Sequence, residues 1–116
     1  MKKTSTMDQP IQMVQITTMT DSEQEAVLIA TTLTRERIAA CCQVSGPVQS
    51  VYWWKGQMEQ TAEWQCLVKT REDLYETVEA GIMALHSYEV PAIIAVPVVH
   101  GSEAYLAWRT AETEAG

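Results

Sequence analysis

Stretches of period two alternate along the chain with stretches of helical period, and this alternation predicts the order of elements. From Ile11 to Met19, the apolar and β-branched residues Ile11, Met13, Val14, Ile16, Thr17 and Thr18 predict a first strand. Thr20-Asp21-Ser22 then offers helix-capping oxygens, and Glu23 and Glu25 suit the positive end of a helix that begins at Ser22 or Glu23. Ala26, Ile29, Ala30 and Leu33 recur at i, i+3, i+4 and i+7, which makes one sheet-packing face. Cys41 to Trp54 reads as a long strand broken only by Gly46-Pro47, a pair that marks a bulge or bend at a sheet edge. Lys55-Gly56 is the turn candidate and Met58 to Thr70 the returning strand, with Trp64, Cys66 and Val68 on one face. Thr70 to Asp73 resembles a helix cap, and Leu74, Val78, Ile82 and Leu85 carry a second helix to His86. Pro91 opens the apolar run Ala92 to Val99, expected to be a strand buried on both faces except where Pro97 demands an edge or bulge. Gly101-Ser102 is the expected cap of a short final helix carrying Tyr105, Leu106 and Trp108.

Strand, helix, strand, strand, helix, strand is the α+β ferredoxin-like plan, βαββαβ, with one antiparallel sheet, a long central hairpin and here a short C-terminal helix. Its second and fourth strands are the edges, and Pro47 and Pro97 fall on those two. Residues 1–10 are polar and aperiodic and read as a disordered N-terminal tail, which leaves 11–116 as a single domain. The stretch from Cys41 to Trp54 would extend roughly 45 Å at about 3.3 Å per residue. A compact domain of 116 residues is only about 35 Å across, so the hairpin should bend or project. Trp53 and Trp54 point to opposite faces, and helices on one face cannot cover both. A homo-oligomer joined through hairpins and edge strands is the expectation.

Composition narrows the function. Apolar residues make up 47% and charged ones 20%, and no apolar run nears the ~18 residues of a membrane span. A formal charge of −7 repels phosphate backbones, so nucleic acid and membrane are not expected partners. No export signal is visible: Asp8, Gln9 and Pro10 stand where an apolar stretch would be required. Three cysteines cannot all pair within one chain, so free thiols and a reducing, cytoplasmic location are expected. Cys41, Cys42, Cys66, His86 and His100 are the candidate ligands, and no CxxC, HxxxH or HExxH spacing joins them. With Lys55-Gly56 as the turn, Cys66 falls opposite Ser45, and a Cys41–Cys66 disulfide would need the Gly46-Pro47 bulge to shift the register. Neither a G-x-S-x-G elbow nor a phosphate-cradling glycine loop is present, and Glu59 and Glu63 read as a solvated or interfacial rim. An enzyme is not indicated.

Several segments together resemble a known family. Arg37-Ile38-Ala39-Ala40-Cys41, Val51-Tyr52-Trp53-Trp54-Lys55-Gly56-Gln57-Met58-Glu59, Glu63 followed by Lys69-Thr70, and His86-Ser87-Tyr88-Glu89-Val90-Pro91 are similar to successive signatures of the CutA divalent-cation-tolerance proteins. Val96-Pro97-Val98 and Tyr105-Leu106-Ala107-Trp108 also fit, so the resemblance runs from about residue 12 to 109. It implies a non-enzymatic homotrimer, related in architecture to the P-II signalling proteins, that binds copper or another divalent cation without needing it to fold. It further implies that Cys41 and His86 contact the metal, and that Trp54, Glu63, Lys69 and Tyr88 line an intersubunit cleft. The alternative it raises is a P-II-like signalling trimer binding a small anionic metabolite in such clefts. Two positions depart from the family pattern: Ser87 replaces a proline, and Ala92 replaces the glutamate that usually follows Pro91.

Overall fold

The computed structural model describes residues 11–113, so the expected tail at 1–10 lies outside the described residues. The chain runs through β1 (Met13–Thr20), α1 (Glu23–Arg35), β2 (Cys41–Trp54), β3 (Gln57–Arg71), α2 (Tyr75–Leu85), β4 (Ile93–Pro97) and α3 (Glu103–Glu112). The four strands form one antiparallel sheet in the order β2-β3-β1-β4, the ferredoxin-like arrangement with β2 and β4 at the edges. Along β1, Val14, Ile16, Thr18 and Thr20 alternate inward, and α1 lays Ala26, Ile29 and Leu33 against that face. Val78 and Ile82 of α2, with Cys66 and Val68 of β3, complete a core from which water is excluded.

Local chemistry sets the element ends. The Ser22 hydroxyl accepts from the Glu25 N–H at 3.1 Å and starts α1. The second helix starts later than its sequence suggests, because Glu72–Leu74 form a 3-10 turn and Asp73 pairs with Arg71 at 2.9 Å instead of capping. Ser102 occupies the cap position of α3 but makes no side-chain capping bond. At the hairpin tip, Lys55 and Gly56 both have positive φ, 51° and 79°, which matches a two-residue primed turn following the strand twist.

The Gly46-Pro47 pair is a bulge, and it changes the register by one residue. Val48 faces Glu63 on the tip side, whereas Ser45 faces Gln65 and Val44 faces Cys66 on the other. Cys66 is therefore opposite Val44 and not Ser45, a correction that follows from the extra residue the bulge inserts. Gly46 has φ 152°, and an added Cβ would stand 2.6 Å from the Trp64 ring. Gly46→Ala is expected to cost about 2 kcal/mol, from strain at a glycine-type backbone and displacement of Trp64. A chemical-denaturation midpoint unchanged from the parent would show that the ring moves aside freely.

The molecule measures 60 × 26 × 23 Å, with a radius of gyration of 16.2 Å, against about 13 Å for a compact chain of this length. The β2–β3 hairpin projects and carries Val51, Trp53 and Met58 into solvent, at 59%, 73% and 67% exposure. The expected double burial of the fourth strand is not met within one chain: Ile94 and Val96 are half bare or more, because β4 is an edge with no layer over its outer face.

Candidate functional site

The segment from His86 to Ala92 leaves α2 and folds beside the end of β1. Its anchor is the His86 side chain, only 1% exposed. The ring Nδ1 accepts the Tyr88 backbone N–H at 3.2 Å, which leaves Nε2 as the donor to the Met19 carbonyl at 2.7 Å. Glu25 of α1 holds the next residue. One carboxylate oxygen accepts both the Ser87 N–H and its hydroxyl at 3.2 Å and lies 3.4 Å from His86 Nδ1. A proline at 87 would have no N–H to give, so the departure at Ser87 is what allows this contact.

The anchored segment presents Tyr88 to the sheet. Its hydroxyl donates to Glu63 at 2.7 Å, and burial, followed by the Glu63 carboxylate, pushes the phenol up, so it stays a donor well past ordinary pH. Glu63 itself is 7% exposed, a correction to the reading of that residue as a solvated rim: Tyr88 covers it. Around this pair opens a cleft of about 740 Å³ lined by Met19, Tyr52, Trp54, Glu63, Tyr88 and Glu89, among others. Of the four residues expected to line an intersubunit cleft, Trp54, Glu63 and Tyr88 line this cleft within one chain. Lys69 lies six residues beyond Glu63 on β3, roughly 20 Å away, and is not part of it. Ala92 lines the cleft at the position of the missing glutamate, so the acidity comes from Glu63 and Glu89. Tyr52 and Glu25 belong to the arrangement although sequence reasoning did not single them out; only the hairpin register and the α1 face bring them there.

Cys41 and His86 are not brought together. Cys41 pairs with Lys69, which pairs with Gln15, whereas His86 binds Met19, four residues further along β1. That separation is about 13 Å along the strand plus two strand spacings of about 4.8 Å. Cys41 is half-buried near Arg109 of α3, on the sheet face opposite Cys42. His100 is exposed, all three cysteines are free, and among the described residues no three His, Cys, Asp or Glu side chains cluster around one point.

These features define a ferredoxin-like α+β protein whose aromatic cleft lies along a projecting hairpin, from Glu63 to Trp54 beside its tip. The family profile described as "CutA1 divalent ion tolerance protein" matches residues 13–112, and the chain belongs to that family. It is 41% identical over 98 residues to the "Divalent-cation tolerance protein CutA" of Pyrococcus horikoshii, covering 84% of this chain and 94% of that one. It is 38% identical over 80 residues to "Protein CutA 1, chloroplastic" of Oryza sativa subsp. japonica, covering 69% of this chain but only 45% of that longer protein. The solved structure titled "Structure of the Periplasmic divalent cation tolerance protein CutA from Archaeoglobus fulgidus" superposes with a TM-score of 0.85 at 33% identity, over 88% of this chain and 99% of that one. The names of these relatives span two compartments. Among the described residues of this chain, no helix is long and apolar enough to cross a membrane.

Proposed function

We propose that the chain works as a non-enzymatic homotrimer that binds copper or other heavy-metal divalent ions in the cytoplasm and takes part in tolerance to them. The observation that carries this reading is the match over residues 13–112 to a family described by divalent ion tolerance. The bare apolar edge of β4 and the Trp53 hairpin tip support self-association, since such surfaces on an isolated chain invite pairing. Cys41 and His86 supply a soft thiolate and a borderline imidazole, the donor types that copper prefers. Since they are apart within one chain, an ion held by both is shared between copies. In the P-II-like alternative, the cleft takes a small anionic metabolite. Lys55 at the hairpin tip stands 3.6 Å from Glu89, which leaves Glu63, without a salt-bridge partner among the described residues, as the lining carboxylate that favours a cation instead.

Copper(II) titration by calorimetry, with sedimentation run on the same samples, tests the proposal. The expected result is a mass of three chains, with tight binding that weakens in both Cys41→Ala and His86→Ala. A monomeric mass at micromolar concentration sinks the trimer, and unchanged stoichiometry and affinity in both variants sink the site.

A further inference from the structure

We propose that Cys42 and Cys66 form a second metal site, a two-coordinate dithiolate for a soft monovalent ion of the copper(I) type, distinct from Cys41 and His86. The bulge places these residues. Cys42 faces Val68 and Val44 faces Cys66, so the two cysteines are diagonal neighbours on the helix-covered side of the β2–β3 ladder. Both side chains pack into the same core, Cys66 within it and Cys42 at its margin. Cys66 is fully buried, whereas Cys42 opens to a shallow concavity walled by Ala30, Thr31, Thr34 and Arg35.

Geometry distinguishes a metal bridge from a disulfide. Diagonal cross-strand residues stand about 7–8 Å apart. A disulfide usually wants Cα atoms within roughly 4.4–6.8 Å, so direct bonding would pull the strands together. An ion held by two metal–sulfur bonds of about 2.3 Å each keeps the sulfurs as much as about 4.6 Å apart, which suits a wider cross-strand pair than a disulfide does. Coordination number then selects the ion. Zinc asks for four ligands and magnesium or calcium for six or more oxygens, yet among the described residues no third His, Cys, Asp or Glu joins the pair. Two thiolates alone suit a soft ion of low coordination number, and copper(I) is the thiolate-selecting case.

The chemistry balances without electron transfer: one Cu⁺ binds two thiols, two S–H bonds break, two Cu–S bonds form and two protons leave. The resulting single negative charge lies beside Arg35 at the mouth.

The test uses the reduced full chain under anaerobic conditions, with copper(I) supplied from its bicinchoninate complex. All variants carry Cys41→Ala, which removes the thiolate of the other proposed site, and in that background the protein is expected to withdraw one equivalent per chain. Cys42→Ser is expected to bind more than about a hundredfold more weakly, beyond the 10–100-fold that loss of an outer-shell partner costs. X-ray absorption should find two sulfur neighbours around the metal. Because Cys42 is half-exposed, its variant should keep the parent's circular dichroism even if Cys66→Ala, in the core, does not fold. Retained copper(I) affinity in folded Cys42→Ser overturns the proposal. So does loss of the site in Cys41→Ala, or a reduced protein that takes up no copper(I) and only forms an internal disulfide with oxidised glutathione. The Cys41 and His86 reading is read out separately by His86→Ala, a variant outside the Cys42–Cys66 pair, so either can fail alone.

Discussion

Arg109→Ala is expected to lower the unfolding free energy by about 3 kcal/mol, two bonds from a charged donor being worth about 1.5–3 kcal/mol each before the relief of burying that charge is deducted. The guanidinium is 1% exposed and donates to the Val14 carbonyl at 2.9 Å and to the Thr70 carbonyl at 3.3 Å, while Tyr105 stacks near it at 5.7 Å. Val14 and Thr70 are register partners of β1 and β3, so the side chain fastens α3 to the end of that ladder. Opposing terms must be weighed. Burial lowers the basicity of Arg109 and its Nε has no partner among the described residues, so the native state already carries a desolvation cost that alanine removes. Alanine also leaves the carbonyls without their donor and opens a void the size of the whole side chain, and these losses are the larger. Arg109→Met separates the terms, since it keeps the stem and loses the charge; it should recover roughly half of the loss. Urea unfolding of both variants at one fixed chain concentration checks this and holds constant any contribution from self-association. A cost below about 1 kcal/mol for alanine would mean that α3 is held by its apolar residues alone.

Arg109 also marks a limit of sequence reading. A charged residue in a short amphipathic helix is by default assigned to solvent, and only the docking of α3 across two carbonyls reverses that. The framework itself was legible: β2 begins and ends at the residues its hydrophobic pattern indicates, Ser22 caps α1, and both strand prolines fall on edges. Those features are local. What local patterns could not carry was the consequence of the bulge. Its existence follows from Gly46-Pro47, but its one-residue shift pairs Cys66 with Val44 and brings Cys42, not Cys41, to its side. Likewise Glu63 sits in a strand position that reads as half-solvated, and it is buried by Tyr88, which is 25 residues away in the chain. The apolar run of β4 reads as buried on both faces, whereas Ile94 and Val96 are half bare or more, because a continuous apolar pattern does not reveal which strand ends at a sheet edge.

His86→Ala is expected to cost about 2–3 kcal/mol, since it removes the partner of two backbone groups and opens a small void at one place, at about 1–3 kcal/mol per buried group left unpaired. The Met19 carbonyl loses its donor and the Tyr88 N–H loses its acceptor, both of which the imidazole now serves from a position closed to water. Tyr88, which packs on the ring at a centroid distance of 4.8 Å, should then drift and release Glu63. The measurable result is a lower melting temperature together with faster amide exchange in the 86–92 segment. Tyr88→Phe is the comparison: it removes the 2.7 Å bond to Glu63 while leaving the histidine in place, and should cost only about 1–2 kcal/mol. The contrast bears on how any copper phenotype at His86 is interpreted. Both ring nitrogens already have protein partners, so a metal entering at Nδ1 must displace the Tyr88 N–H and rearrange the cleft wall. Since a stability loss is expected in either case, copper loss in His86→Ala marks a ligand only where X-ray absorption of the copper-loaded parent shows a metal–imidazole contact; without that contact the residue positions the cleft. An unaltered melting temperature in His86→Ala would mean that Glu25 alone, through Ser87, suffices to hold the segment in place.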